Sequence, residues 1–135
     1  MLYKPYGILN VPKTNEKDAL SAIIKGLKEN DTAFIYRCWK HFFMICGYEI
    51  VPKKREQAYC KLSDIGESET WLLMCDTLET EDPIISRRWS DIVKDITIRG
   101  NKIIDIRHLE RGEQECNDPA SLVNDGILIL KSGIA

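Results

Sequence analysis

The run from Ala33 to Cys46, Ala-Phe-Ile-Tyr-Arg-Cys-Trp-Lys-His-Phe-Phe-Met-Ile-Cys, is the densest apolar and aromatic stretch of the chain and the one that most restricts its fold. At helical period, Arg37, Lys40, His41 and Met44 share one narrow stripe, while Phe34, Ile35, Cys38, Trp39, Phe42, Phe43, Ile45 and Cys46 cover the rest. So wide an apolar surface predicts a central helix packed on several sides. Asn30 or Asp31 would cap it, and Gly47 would stop it in a left-handed conformation.

The segments on either side are arranged around this element. Residues 1–13 hold Pro5, Gly7 and Pro12 and read as an extended arm or edge strand. Asn15 is a cap for a helix over residues 16–29, on which Leu20, Ile23, Ile24 and Leu27 line one face. After Pro52 and the basic run Lys53-Lys54-Arg55, the alternation of Gln57 to Ser63 predicts a short strand. Trp71 to Cys75 fits a strand, yet Trp71, Met74, Cys75 and Leu78 match helical spacing with Ser68 as a cap, so helix is favoured over Ser68 to Glu79. Asp82-Pro83 reads as the start of another helix carrying Ile85, Trp89, Ile92 and Val93.

Ile96, Ile98, Ile104 and Ile106 alternate with polar residues around Arg99-Gly100-Asn101-Lys102, a hairpin signal. A polar loop over residues 110–118, a short helix from Asp118-Pro119 to about Gly126 and an interior strand at Ile127 to Leu130 complete the order. The expected fold class is α+β, with N-terminal helices on one face of a small, mainly antiparallel, curved sheet. A chain of 135 residues is the size of one domain, 1–135.

Cys38, Cys46, Cys60, Cys75 and Cys116 contain no CxxC pair and form no disulfide framework, which points to a reducing, cytoplasmic setting. The N-terminus lacks a signal-peptide core, and no apolar stretch approaches the roughly 18 residues of a membrane span. Residues 1–61 carry 11 Lys and Arg against 6 Asp and Glu, and residues 62–135 carry 8 against 15, so the formal charge of −2 hides a polarised chain.

Catalytic grammar is sparse. There is no Walker loop, GxGxxG, GxSxG or HExxH. Cys38 and His41, three apart on a helix, lack an orienting carboxylate, and their bland reading is a core thiol beside a surface histidine. Cys38, His41, His108 and Cys116 do not have the spacing of a zinc site. No catalytic residue, metal or cofactor is therefore assigned. The leading expectation is a small intracellular, non-enzymatic protein that docks onto another protein, as an inhibitor, immunity-type neutraliser, adaptor or virus-encoded accessory factor.

Its contact face would be acidic, formed by Asp76, Glu79, Glu81, Asp82, Glu110, Glu113 and Glu115, and would suit a basic partner. The alternative is a nucleic-acid-binding module using Arg37, Lys40, Lys53, Lys54 and Arg55. A third is an enzyme or ligand carrier with a pocket between the second helix and the sheet, where Cys38, His41 and His108 are the polar candidates. A head-to-tail homo-oligomer would also use the opposite charges.

Overall fold

A computed structural model describes residues 8–9, 14–39, 41–61, 66–76, 83–98, 101–117 and 126–132. In chain order the elements are α1 (Glu16–Leu27), β1 (Thr32–Cys38), β2 (His41–Pro52), β3 (Ser68–Asp76), β4 (Ile84–Arg88), α2 (Trp89–Thr97), β5 (Lys102–Ile104), β6 (Glu113–Glu115) and β7 (Gly126–Lys131). Five strands form one antiparallel sheet in the order β4-β3-β2-β1-β7, and β5 pairs with β6 separately. The class is α+β, as composition and pattern predict. Among the described residues no helix is long and apolar enough to cross a membrane.

The expected central helix is instead a hairpin. Phe34, Tyr36 and Cys38 on β1 and His41, Phe43 and Ile45 on β2 are buried, while Phe42, Met44 and Cys46 are exposed. The even-to-odd change of parity occurs between Cys38 and His41, which pair with each other. Apolar residues occupy both faces of the hairpin, so the period-2 alternation that marks a half-buried strand is missing from the sequence. The aromatic and β-branched content fits a pleated sheet well.

Gly47 is a bulge residue rather than a helix stop. The β2–β3 register passes from Ile45↔Met74 to Gly47↔Leu73, leaving Cys46 as the extra residue. That extra residue reverses which parity faces the core, so Tyr48 packs inward after it.

Other element expectations are corrected in the same direction. Ser68–Asp76 is a strand, because Leu72, Met74 and Asp76 alternate inward. Ile84–Arg88 is also a strand, and the helix begins only at Trp89. Ile96 lies in that helix and Ile98 caps it, so the expected isoleucine hairpin does not form; β5 pairs with β6 instead. Ile96, Ile104 and Ile106 are nevertheless buried. Arg55–Gln57 is a 3-10 turn where the Gln57–Ser63 strand was expected to begin.

Helix α1 matches its reading. The Asn15 side chain accepts a hydrogen bond from the Asp18 backbone N–H at 2.9 Å, and Ala19 and Ile23 are buried. Strand β7 also matches, but it is the outermost of the five, bordered beyond by a single parallel bridge from Leu9. The helix expected after Asp118-Pro119 lies outside the described residues.

Both helices pack on the inner face, where Ile23, Phe34, Tyr36, Leu72, Met74, Ile92, Ile96, Ile106 and Ile127 share one core. The Trp89 indole N–H donates to the Glu16 carbonyl at 3.2 Å and joins the two helices. Helix α1 approaches β1 so closely that a Cβ on Gly26 would lie 2.4 Å from Phe34 Cζ.

Candidate functional site

The inner face of the sheet is apolar except at one end. There β1 finishes at Cys38, β2 starts at His41 and β3 finishes at Asp76. Phe43 pairs with Asp76, so His41, two residues before Phe43, shares its face and is the diagonal neighbour of Asp76. His41 Nε2 lies 2.6 Å from Asp76 Oδ1, a short charge-assisted contact with side-chain exposures of 8% and 6%. The imidazole also lies 4.7 Å, centroid to centroid, from the Phe43 ring. The Asp76 backbone N–H donates to the Pro83 carbonyl at 2.7 Å, which fixes the strand end.

With Nε2 directed at the carboxylate, Nδ1 is the remaining basic nitrogen, and the described residues place no hydrogen-bond partner on it. The turn before His41 is held in an uncommon conformation. Trp39 has φ 54°, and no other non-glycine residue among those described has a positive φ. Arg37 Nε donates to the Trp39 carbonyl at 3.2 Å. Unusual backbone of this kind in a bulky residue persists where the surroundings over-determine it.

Cys38 is directly opposite His41, but its chemistry is that of an anchor. The Cys38 thiol donates to the Ile104 carbonyl at 3.3 Å and accepts the Ile106 N–H at 3.4 Å. Arg87 holds the same segment through the Ile106 carbonyl at 2.6 Å and the Arg107 carbonyl at 3.3 Å. Nearby on the inner face, the Tyr36 hydroxyl hydrogen-bonds Asp95, and both residues are buried.

The acidic residues do not gather into one described face. Asp76 is buried against His41, and Glu79, Glu81 and Asp82 lie outside the described residues. Glu110 is exposed near His108, with its carboxylate 3.3 Å from Nδ1. Its own backbone N–H, and then the His108 charge, hold the Glu110 carboxyl below the ordinary glutamate value. Glu113 and Glu115 flank Gln114 on β6, and Glu113 is 3.7 Å from Lys102.

The basic residues are also separated. Arg37 sits over the Phe42 ring on the outer face. Lys53, Lys54 and Arg55 follow the far end of β2, roughly 35 Å along the strand by its rise per residue. Lys53 is 3.7 Å from Glu67, and Lys40 lies outside the described residues. His108 pairs with Glu110, and the Cys116 backbone N–H donates to the Asn101 carbonyl at 2.6 Å. Among the described residues no three His, Cys, Asp or Glu side chains converge as metal ligands. A groove of about 230 Å³ lined by Lys25, Gly26, Phe34 and Lys131 shares no residue with the His41 site.

Sequence reasoning found Cys38 and His41 but placed them on a helix, and it missed the Asp76 partnership. The usable signal was a histidine opening one apolar strand and an aspartate closing another, which become neighbours once the strands run antiparallel.

Fold and site together define an α+β protein with a buried histidine–carboxylate pair at the end of an antiparallel sheet. The family model for the basic immunoglobulin-like variable motif-containing protein, BIVM, matches residues 1–127, and the chain belongs to that family. The mouse relative of that name is 38% identical over 116 residues, covering 84% of this chain and 23% of the relative. The human relative is 37% identical over 116 residues with the same coverage. A Giardia intestinalis relative is 26% identical over 144 residues, covering 90% of this chain and 53% of its own. The chain thus spans about a quarter of the length of the vertebrate relatives it matches. No solved structure matches it.

Proposed function

We propose that this chain supplies the general base and its orienting carboxylate for a nucleophilic acyl-transfer or hydrolytic reaction. The attacking thiol or hydroxyl comes from outside the described residues. The observation that carries this reading is the 2.6 Å His41–Asp76 contact, buried on the carboxylate side and leaving Nδ1 unpartnered among the described residues. A carboxylate that accepts Nε2–H selects one tautomer and leaves the Nδ1 lone pair to act as base.

In the reaction, Nδ1 removes the proton as the nucleophile bonds to the acyl carbon, and the Asp76 charge stabilises the imidazolium formed. The same proton then passes to the leaving group. Cys38 is a poor source of the nucleophile, because it is 2% exposed and its thiol is engaged with the Ile104 carbonyl and the Ile106 N–H.

The test is electrophile labelling of the protein, with iodoacetamide for a thiol and a fluorophosphonate for a hydroxyl. One nucleophile should label quickly, and the rate should fall at least about 100-fold in His41→Ala, the lower range for losing a positioned base. Equal rates in the wild type and a folded His41→Ala variant would reject the reading.

One observation favours docking as a second reading. The outer sheet face exposes Phe42 at 53%, Met44 at 46%, Ile84 at 58% and Leu130 at 42%. The contact would therefore be apolar rather than acidic. The occupant named by this reading is a second copy of this chain, since these four apolar side chains lie together on one sheet face. Amide exchange in β1 and β2 should then slow markedly as the protein concentration is raised; exchange independent of concentration would dismiss this occupant.

A further inference from the structure

Two thiols meet on the outer face of the sheet. Cys75 Sγ donates to Cys46 Sγ at 3.2 Å, and Cys46 Sγ donates in turn to the Leu73 carbonyl at 3.4 Å. Cys46 is exposed and Cys75 half-buried, so small solutes reach the pair. We propose that Cys46 and Cys75 form a reversible dithiol–disulfide site that is oxidised by hydrogen peroxide.

The geometry supports ring closure within one chain. A disulfide bond is about 2.05 Å long, so the sulfurs must approach by roughly 1 Å. Cys46 is the extra residue of the β2 bulge, between the pairs Ile45↔Met74 and Gly47↔Leu73. An extra residue has no ladder partner, so its backbone can shift without opening the neighbouring pairs. Two other cysteines lie in different settings: Cys38 is buried against main chain, and Cys60 is exposed on a turn.

The chemistry is balanced by peroxide alone. One sulfur attacks the O–O bond, becoming a sulfenic acid as one water leaves. The second thiol then displaces the sulfenic oxygen as another water, forming the S–S bond. The two thiols lose two electrons and two protons in total, and a thiol reductant returns them. Cys75 immediately precedes Asp76, so the bond would fasten together the two strands that carry His41 and Asp76. The inference stands whether or not that pair is catalytic.

The experiment treats the protein with hydrogen peroxide, alkylates the remaining thiols and maps the peptides by mass. The expected product has lost two hydrogen atoms, contains a Cys46–Cys75 linked peptide and reverts with dithiothreitol. In Cys46→Ser the intramolecular loss should vanish, and the sulfenic acid on Cys75 should be trapped by dimedone. The proposal is overturned if Cys46 and Cys75 of the wild type stay fully alkylatable while exposed Cys60 is oxidised. It is equally overturned if the only linked product joins two chains. Both readouts use the wild-type fold, so poor folding of the variant leaves the decision intact.

Discussion

At the scale of single residues, two groups separate stability from chemistry. Asp76→Ala leaves the His41 Nε2–H without its buried acceptor, an omission worth about 1–3 kcal/mol, and urea unfolding should show that loss. Asp76→Asn keeps an acceptor oxygen and should cost less, while the labelling rate of the nucleophile should still fall because the negative charge that stabilises the imidazolium is gone. Cys46 gives a pH prediction. Partial desolvation, and then proton sharing with Cys75, raise its thiol from 9.0 to about 11. The folded state holds this proton more tightly than the unfolded chain. Its contribution is therefore complete below pH 9.0 and is lost as pH rises towards about 11. The thermal midpoint of the wild type should drop through this window more steeply than that of Cys46→Ser.

At the scale of elements, the β1–β2 hairpin does most to create the site, because its tight turn places Cys38 opposite His41 and its second strand brings His41 to Asp76. Helix α1 covers the hairpin at a distance set by Gly26. Gly26→Ala would push a methyl group into the buried Phe34 ring, and overpacking of this sort costs about 1–3 kcal/mol. A lowered midpoint in chemical denaturation, with the slope unchanged, is the expected result. Helix α1 was legible because Asn15 caps it and its apolar residues recur on one face. The hairpin was not, because both of its faces are apolar and its period is hidden. Helix α2 was legible in its stripe but not in its start, since Ile85 belongs to β4.

At the scale of the whole molecule, the described residues cover the sheet on one face and leave apolar side chains exposed on the other. Phe42 and Met44 are 53% and 46% exposed, so Phe42→Ser with Met44→Lys should change stability by less than about 1 kcal/mol. Sedimentation velocity should show less self-association than in the wild type if the open face is what makes copies adhere. The amino-acid sequence by itself determined the α+β class, the capped first helix, the buried isoleucines and the terminal apolar strand. Each follows from local propensity, capping chemistry or hydrophobic content, which neighbouring residues suffice to express. Only the tertiary structure decided that the central apolar run is a hairpin and that His41 meets Asp76. Those features depend on register between strands, and Asp76 is 35 residues from His41 in sequence. A run of apolar residues states that it will be buried; which polar residue is buried beside it is set by the antiparallel pairing.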